Sequence, residues 1–187
     1  DWSSDVCSSD LRFRRIDTGE QLPDEIPGTT WGGSAWSNDD RYFFYVVPDD
    51  AMRPWRVMRH EMGTPSAVDI CVFEDPDERF FVSVDLSKSK EWIIIESGSR
   101  TSAEAWLIPS ADCRAEPTVV RPRADDIEYS VDHWGDRFII LHNTDAVDFR
   151  VDVAPVSSPG TWEPFIAHSS GSRITQFETF RRSEEHT

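Results

Sequence analysis

The chain has 187 residues, with 19 Lys and Arg against 35 Asp and Glu and a formal net charge of −16. Hydrophobic residues make up 38% and aromatics 12%, too much apolar material for a disordered chain. No stretch approaches the ~18 consecutive apolar residues of a membrane helix, and the acidic balance opposes binding to nucleic-acid phosphates, so neither a membrane nor a nucleic acid is an expected partner.

Both ends read as foreign sequence. Residues 182–187, Arg-Ser-Glu-Glu-His-Thr, and the run Asp5-Val6-Cys7-Ser8-Ser9-Asp10 into Leu11 are translations, on opposite strands, of one sequencing-adapter oligonucleotide. Residues 1–11 and 182–187 are therefore expected to be adapter-derived and are set aside. Residues 12–181 are expected to be one partial domain of a longer parent.

Residues 12–22 read as two strands around the turn Asp17-Thr18-Gly19-Glu20. A unit then recurs at a period of roughly 47 residues. Its first copy places a short strand at 33–36, the turn Asn38-Asp39-Asp40-Arg41, the apolar run Phe43-Phe44-Tyr45-Val46-Val47, and extended pieces at 55–60 and 69–73. The second copy has strands at 80–86, 92–95, 104–108 and 117–121, with Ser87-Lys88-Ser89-Lys90 as its first turn. The third has 127–134, 138–141, 148–153 and 162–166, with Gly135-Asp136-Arg137 in the turn. Residues 172–181 are expected to open a further copy.

Four short strands per unit, aromatic and β-branched, bounded by Gly, Pro, Asp, Asn and Ser, make antiparallel meanders. The second strand of each unit is apolar at every position, whereas a sheet with one wet face would alternate. Sheets covered on both faces and repeated at this period predict an all-β partial β-propeller, about three complete four-stranded blades plus two partial ones. A β-solenoid is disfavoured by the length of the repeat, and a β-sandwich would need coincidental spacing.

Several motifs tempt a catalytic reading. Gly32-Gly33-Ser34-Ala35-Trp36 begins like a nucleophile elbow but has Trp36 where the second Gly belongs, and no helix pattern follows. Ser34 reads instead as a strand residue near the axis. His60-Glu61 lacks a second His four positions on, and Gly63-Thr64-Pro65 ends any helix, so it reads as a turn at a blade edge. Ser130, Asp132 and His133 lie on one strand, where adjacent side chains point to opposite faces and cannot build a triad.

The acidic runs Glu74-Asp75-Pro76-Asp77-Glu78 and Asp125-Asp126 read as solvated turns, with attraction of basic ligands at the rim as their functional alternative. Cys7, Cys71 and Cys113 neither pair off nor sit at zinc-ligand spacings, so no disulfide, metal or cofactor is expected.

Longer motifs are more specific. Arg53-Pro54-Trp55-Arg56-Val57, Arg59-His60, Gly63-Thr64-Pro65 and the stretch from Phe73 through Asp75-Pro76-Asp77-Glu78-Arg79-Phe80 to Val84 resemble the oligopeptidase B (protease II) branch of the prolyl oligopeptidase family of serine peptidases. Ala115-Glu116-Pro117, Val120-Arg121-Pro122-Arg123, Glu128 to His133 and Gly135-Asp136-Arg137-Phe138 continue the likeness, which covers essentially all of residues 12–181. Residues 97–105 and 146–152 follow it more loosely.

The resemblance implies a seven-bladed propeller joined to an α/β-hydrolase domain that carries the Ser, Asp and His of the triad. No catalytic residue is assigned here. The parent is then a cytoplasmic serine endopeptidase that cleaves short peptides after Arg or Lys. This segment, itself inactive, would filter substrates and meet the hydrolase domain. Asp77, Glu78, Arg79, Asp125, Asp126 and Glu128 are the candidate gating or interdomain residues, with short basic peptides as partners. A proline-specific relative and a non-enzymatic binding propeller are the alternatives.

Overall fold

The computed structural model describes residues 9–180. The segments 1–8 and 181–187, with Trp2, Cys7 and the adapter-like C-terminal residues, lie outside the described residues. Among the described residues, fourteen strands form three four-stranded antiparallel sheets and one two-stranded sheet. The two-stranded sheet pairs β1 (Ser9–Arg14) with β2 (Gln21–Thr29). Ser9 is thus already paired, opposite Thr29, within the stretch expected to be foreign.

The first full sheet runs in the order β3 (Ser34–Trp36), β4 (Tyr42–Pro48), β5 (Pro54–Glu61), β6 (Ile70–Glu74). A 3₁₀ turn at Ser66–Val68 lies between the last two. The second comprises β7 (Phe81–Leu86), β8 (Trp92–Gly98), β9 (Ala103–Pro109) and β10 (Thr118–Val119). The third comprises β11 (Tyr129–Trp134), β12 (Arg137–His142), β13 (Arg150–Pro155) and β14 (Glu163–Ile166). This is the expected partial propeller.

The apolar second strands explain how the sheets stack. In β4, Phe43 and Tyr45 face the two-stranded sheet and pack with Phe13 and Ile26, while Phe44 and Val46 face the second sheet. Strand β8 divides likewise: Ile93 and Ile95 meet Phe44, Val46 and Val57 on one side, and Ile94 meets Val131, Phe138 and Ile140 on the other. Period-two geometry thus turns a continuous apolar run into two sheet-to-sheet interfaces. The cores lie between sheets rather than at one centre.

The first hairpin of every full sheet needs one left-handed residue, supplied by Asp40 (φ 56°), Lys90 (φ 65°) and Gly135 (φ 67°). Ser37 and Ser87 occupy matching positions before it. Their hydroxyls accept the amides of Tyr42 and Trp92 at 2.8 and 3.1 Å, closing the same turn twice.

Residues 172–180 correct one expectation, for they form no strand among the described residues. Ile174 and Phe177 instead pack on Ile139, Leu141, Phe149, Val151 and Val153, the outer face of the third sheet. The Ile174 amide donates to the Asp148 carbonyl at 3.0 Å. Covering apolar surface here takes precedence over ladder pairing.

Candidate functional site: a rim cleft at the edge of the second sheet

Three connections meet at one edge of the stacked sheets: residues 75–80 leading into β7, residues 99–102 between β8 and β9, and residues 120–128 leading into β11. They border a cleft of about 810 Å³ whose walls include Arg79, Phe81, Arg100, Arg123, Asp125 and Asp126.

The first connection is fastened from both sides. Arg53, itself buried, donates through Nη1 to the carbonyls of Asp75, Asp77 and Phe80 at 3.2, 3.0 and 2.7 Å, and through Nε to Asp49 at 2.8 Å. Asp75 is 2% exposed, which corrects its reading as part of a solvated turn. Its carboxylate accepts the Ser97 hydroxyl at 2.5 Å, the Asp77 amide at 3.0 Å and the Arg123 guanidinium. Arg123 also donates to Glu104 at 2.7 Å and lies over the Phe80 ring, 3.8 Å from its centroid. Two buried carboxylates thus share one guanidinium, and the further donors satisfy oxygens that would otherwise be buried without a partner.

Of the predicted residues, Arg79, Asp125 and Asp126 share the cleft. Asp77 stands behind it, bonded to Arg79 through both oxygens at 3.0 and 2.6 Å, and the Arg79 guanidinium holds its pKa down at about 2. Glu78 is exposed, with no ion pair among the described residues. Glu128 lies elsewhere, beside a separate cleft of about 420 Å³ with Ser130, Phe149 and Arg173.

Sequence reasoning did not single out Arg53, Asp75, Ser97, Glu104 and Arg123 as a network. Arg53 and Arg123 do sit inside the motifs Arg53-Pro54-Trp55 and Arg121-Pro122-Arg123. A basic residue beside a Pro at each strand boundary was the available signal.

His60 also differs from expectation. It lies within β5 and is fully buried, with Nε2 3.1 Å from Asp24 and Nδ1 2.8 Å from Asp69. Tyr45 donates to the other Asp69 oxygen at 2.8 Å. Burial opposes ionisation of Asp24, but the Gly63 amide and His60 hold its pKa below the usual carboxylate range. The cluster ties β2 to the first full sheet and contains no Ser, Thr or Cys nucleophile.

The Ser130-Asp132-His133 trio makes no triad. His133 Nδ1 contacts the Ser89 hydroxyl at 2.8 Å, while Asp132 accepts the Lys88 amide at 3.1 Å and the Thr179 hydroxyl at 2.6 Å. Ser34 pairs with Tyr45 in β3. Cys71 is exposed and Cys113 buried, both as free thiols. Among the described residues no cluster of His, Cys, Asp and Glu could hold a metal ion, and no helix is long and apolar enough to cross a membrane.

Doubly covered four-stranded meanders joined at a common rim define a β-propeller segment. The family model for the prolyl oligopeptidase N-terminal β-propeller domain matches residues 4–183, and the chain belongs to that family. It is 36% identical over 174 residues to dipeptidyl aminopeptidase BI of Pseudoxanthomonas mexicana, covering 91% of this chain and 24% of that protein. It is 28% identical over 172 residues to protease 2 of Moraxella lacunata, covering 91% and 25%. The structure of oligopeptidase B from Leishmania major superposes with a TM-score of 0.80 at 28% identity, over 87% of this chain and 23% of that one. The chain spans about a quarter of the length of these relatives.

Proposed function

We propose that this chain is the substrate-filtering propeller segment of a cytoplasmic serine oligopeptidase that hydrolyses short peptides after Arg or Lys. The match of a peptidase propeller model to residues 4–183 carries the reading. The preference for basic residues is what the sequence resemblance to the oligopeptidase B branch implies, and protease 2 and oligopeptidase B are among the proteins the chain is similar to. Attack by an activated serine through an acyl-enzyme would belong to the hydrolase part of the parent.

This segment would present the rim. Arg79, Asp125 and Asp126 would meet the entering peptide or the hydrolase domain, Asp77 would position Arg79, and Glu78 and Glu128 would add negative charge on either side. The kinship with a dipeptidyl aminopeptidase favours a second reading, in which the parent removes dipeptides from free N-termini.

Fluorogenic peptides with internal Arg, with internal Pro, and with a free or acetylated N-terminal dipeptide distinguish the readings when given to the full-length parent. Cleavage after Arg in acetylated peptides is expected. Cleavage only after Pro, or only of free N-terminal dipeptides, overturns the proposal.

A further inference from the structure

Three guanidinium groups and two carboxylates line the rim cleft, and two of the guanidinium groups are already engaged within the protein. Arg79 is clamped by Asp77, and Arg123 is shared between Asp75 and Glu104. Arg100, exposed on the turn between β8 and β9, has no side-chain partner among the described residues. The carboxylates of Asp125 and Asp126 likewise accept no hydrogen bond there.

The backbone beneath these acids is nonetheless fixed. The Asp126 amide donates to the Ser102 hydroxyl at 3.0 Å, and its carbonyl accepts the Asn143 amide group at 3.0 Å. Subtracting the internal pairs leaves one positive group and two negative groups without a side-chain hydrogen bond or ion pair among the described residues, Asp125 also acting electrostatically on Arg79. The volume of about 810 Å³ falls in the range of small-molecule sites. An apolar lip adjoins it, where exposed Trp31 stacks on Phe81 with ring centroids 6.0 Å apart.

We infer that the cleft is a two-ended subsite for short unblocked peptides, in which Arg100 takes the α-carboxylate and Asp125 with Asp126 takes a cationic group. The inference rests on the reading that the rim admits peptides, and it adds a means of length selection. A planar guanidinium fork fits a terminal carboxylate in a way that an internal amide cannot reproduce. A loop of a folded protein offers no such terminus. A short peptide brings carboxylate and ammonium within one cleft, whereas a long one brings only one of them.

Peptide-observed NMR titration of the purified 187-residue chain with Lys-Ala-Ala and with its C-terminal amide tests this. The free acid is expected to bind roughly fivefold more tightly than the amide, the scale of a solvent-accessible Arg–carboxylate pair. The advantage should shrink at high salt. It should vanish in Arg100→Gln and persist in part in Arg100→Lys. Replacing both Asp125 and Asp126 by Asn should weaken the free acid and the amide alike.

Equal binding of acid and amide, or an acid preference that survives Arg100→Gln, overturns the inference and leaves peptide admission standing. Failure of both peptides to bind overturns the inference and the rim-admission reading together.

Discussion

Arg123 shows how one side chain sets the local architecture. It reaches from the connection before β11 to Asp75 and Glu104, both buried on the second sheet's side of the cleft. Arg123→Ala would strand two carboxylates whose other donors are a hydroxyl and backbone amides. Breaking a buried pair from one side is costly, but the guanidinium is itself 28% exposed, so a loss of about 2 kcal/mol is expected. Urea unfolding reads that loss, and Arg123→Lys should recover part of it, because a single ammonium cannot reach both acids with the same geometry. A change below about 0.5 kcal/mol would show that the staple is decorative.

At the scale of elements, the interface between the second and third sheets contains a titratable defect. Glu96, on β8, lines a cavity of about 160 Å³ with Asp85, Ile94 and Val131. Burial pushes its pKa up to about 7, partly offset by a backbone hydrogen bond from Val131. The unfolded chain releases this proton near 4.5, so the folded state retains it over the window between 4.5 and about 7. Stability attributable to Glu96 is therefore full below that window and declines as pH rises through it. Glu96→Gln should flatten the decline and raise stability at pH 8 by about 2 kcal/mol. Urea titrations at several pH values measure both effects, and an unchanged pH slope would refute the assignment.

The strands themselves were legible because binary patterning dictates them. Runs such as Ile93-Ile94-Ile95 cannot face water on either side, and their recurrence in the sequence identifies stacked sheets. The polar network was not legible. The run Glu74-Asp75-Pro76-Asp77-Glu78 looks uniformly solvated, yet Asp75 is buried and Glu78 exposed. That difference depends on Ser97 and Arg123, which lie 22 and 48 residues away. His60 escaped for the same reason, because Asp24 is 36 residues distant and only sheet stacking brings them together. The misread segment 172–180 has strand-like composition but a stronger demand from the apolar face it covers.

For the whole molecule, the two outer surfaces are unlike. The far side of the two-stranded sheet is polar, with Arg12 paired to Glu25 and Arg14 and Gln21 exposed. The far side of the third sheet carries Trp134, Phe165, Ile166 and Phe180 at 41–65% exposure, around an apolar groove of about 280 Å³. Terminal repeats without a polar covering are prone to associate. The isolated chain is expected to self-associate reversibly, and Phe165→Ser with Ile166→Ser should lower the sedimentation-average mass. Association unaffected by these changes would place the sticky surface elsewhere.

Adjacent sheets are also tied near both of their edges. Arg53 and Arg123 fasten the cleft edge, while at the opposite edge Arg114 donates to the Tyr42 hydroxyl at 2.6 Å and Lys88 and Ser89 hold Asp132 and His133. Spokes lashed at both edges resist spreading apart. On the reading proposed above, passage of a peptide past this sector would rely on movement of loops or of a neighbouring domain, with the three sheets turning together as one stiff wedge.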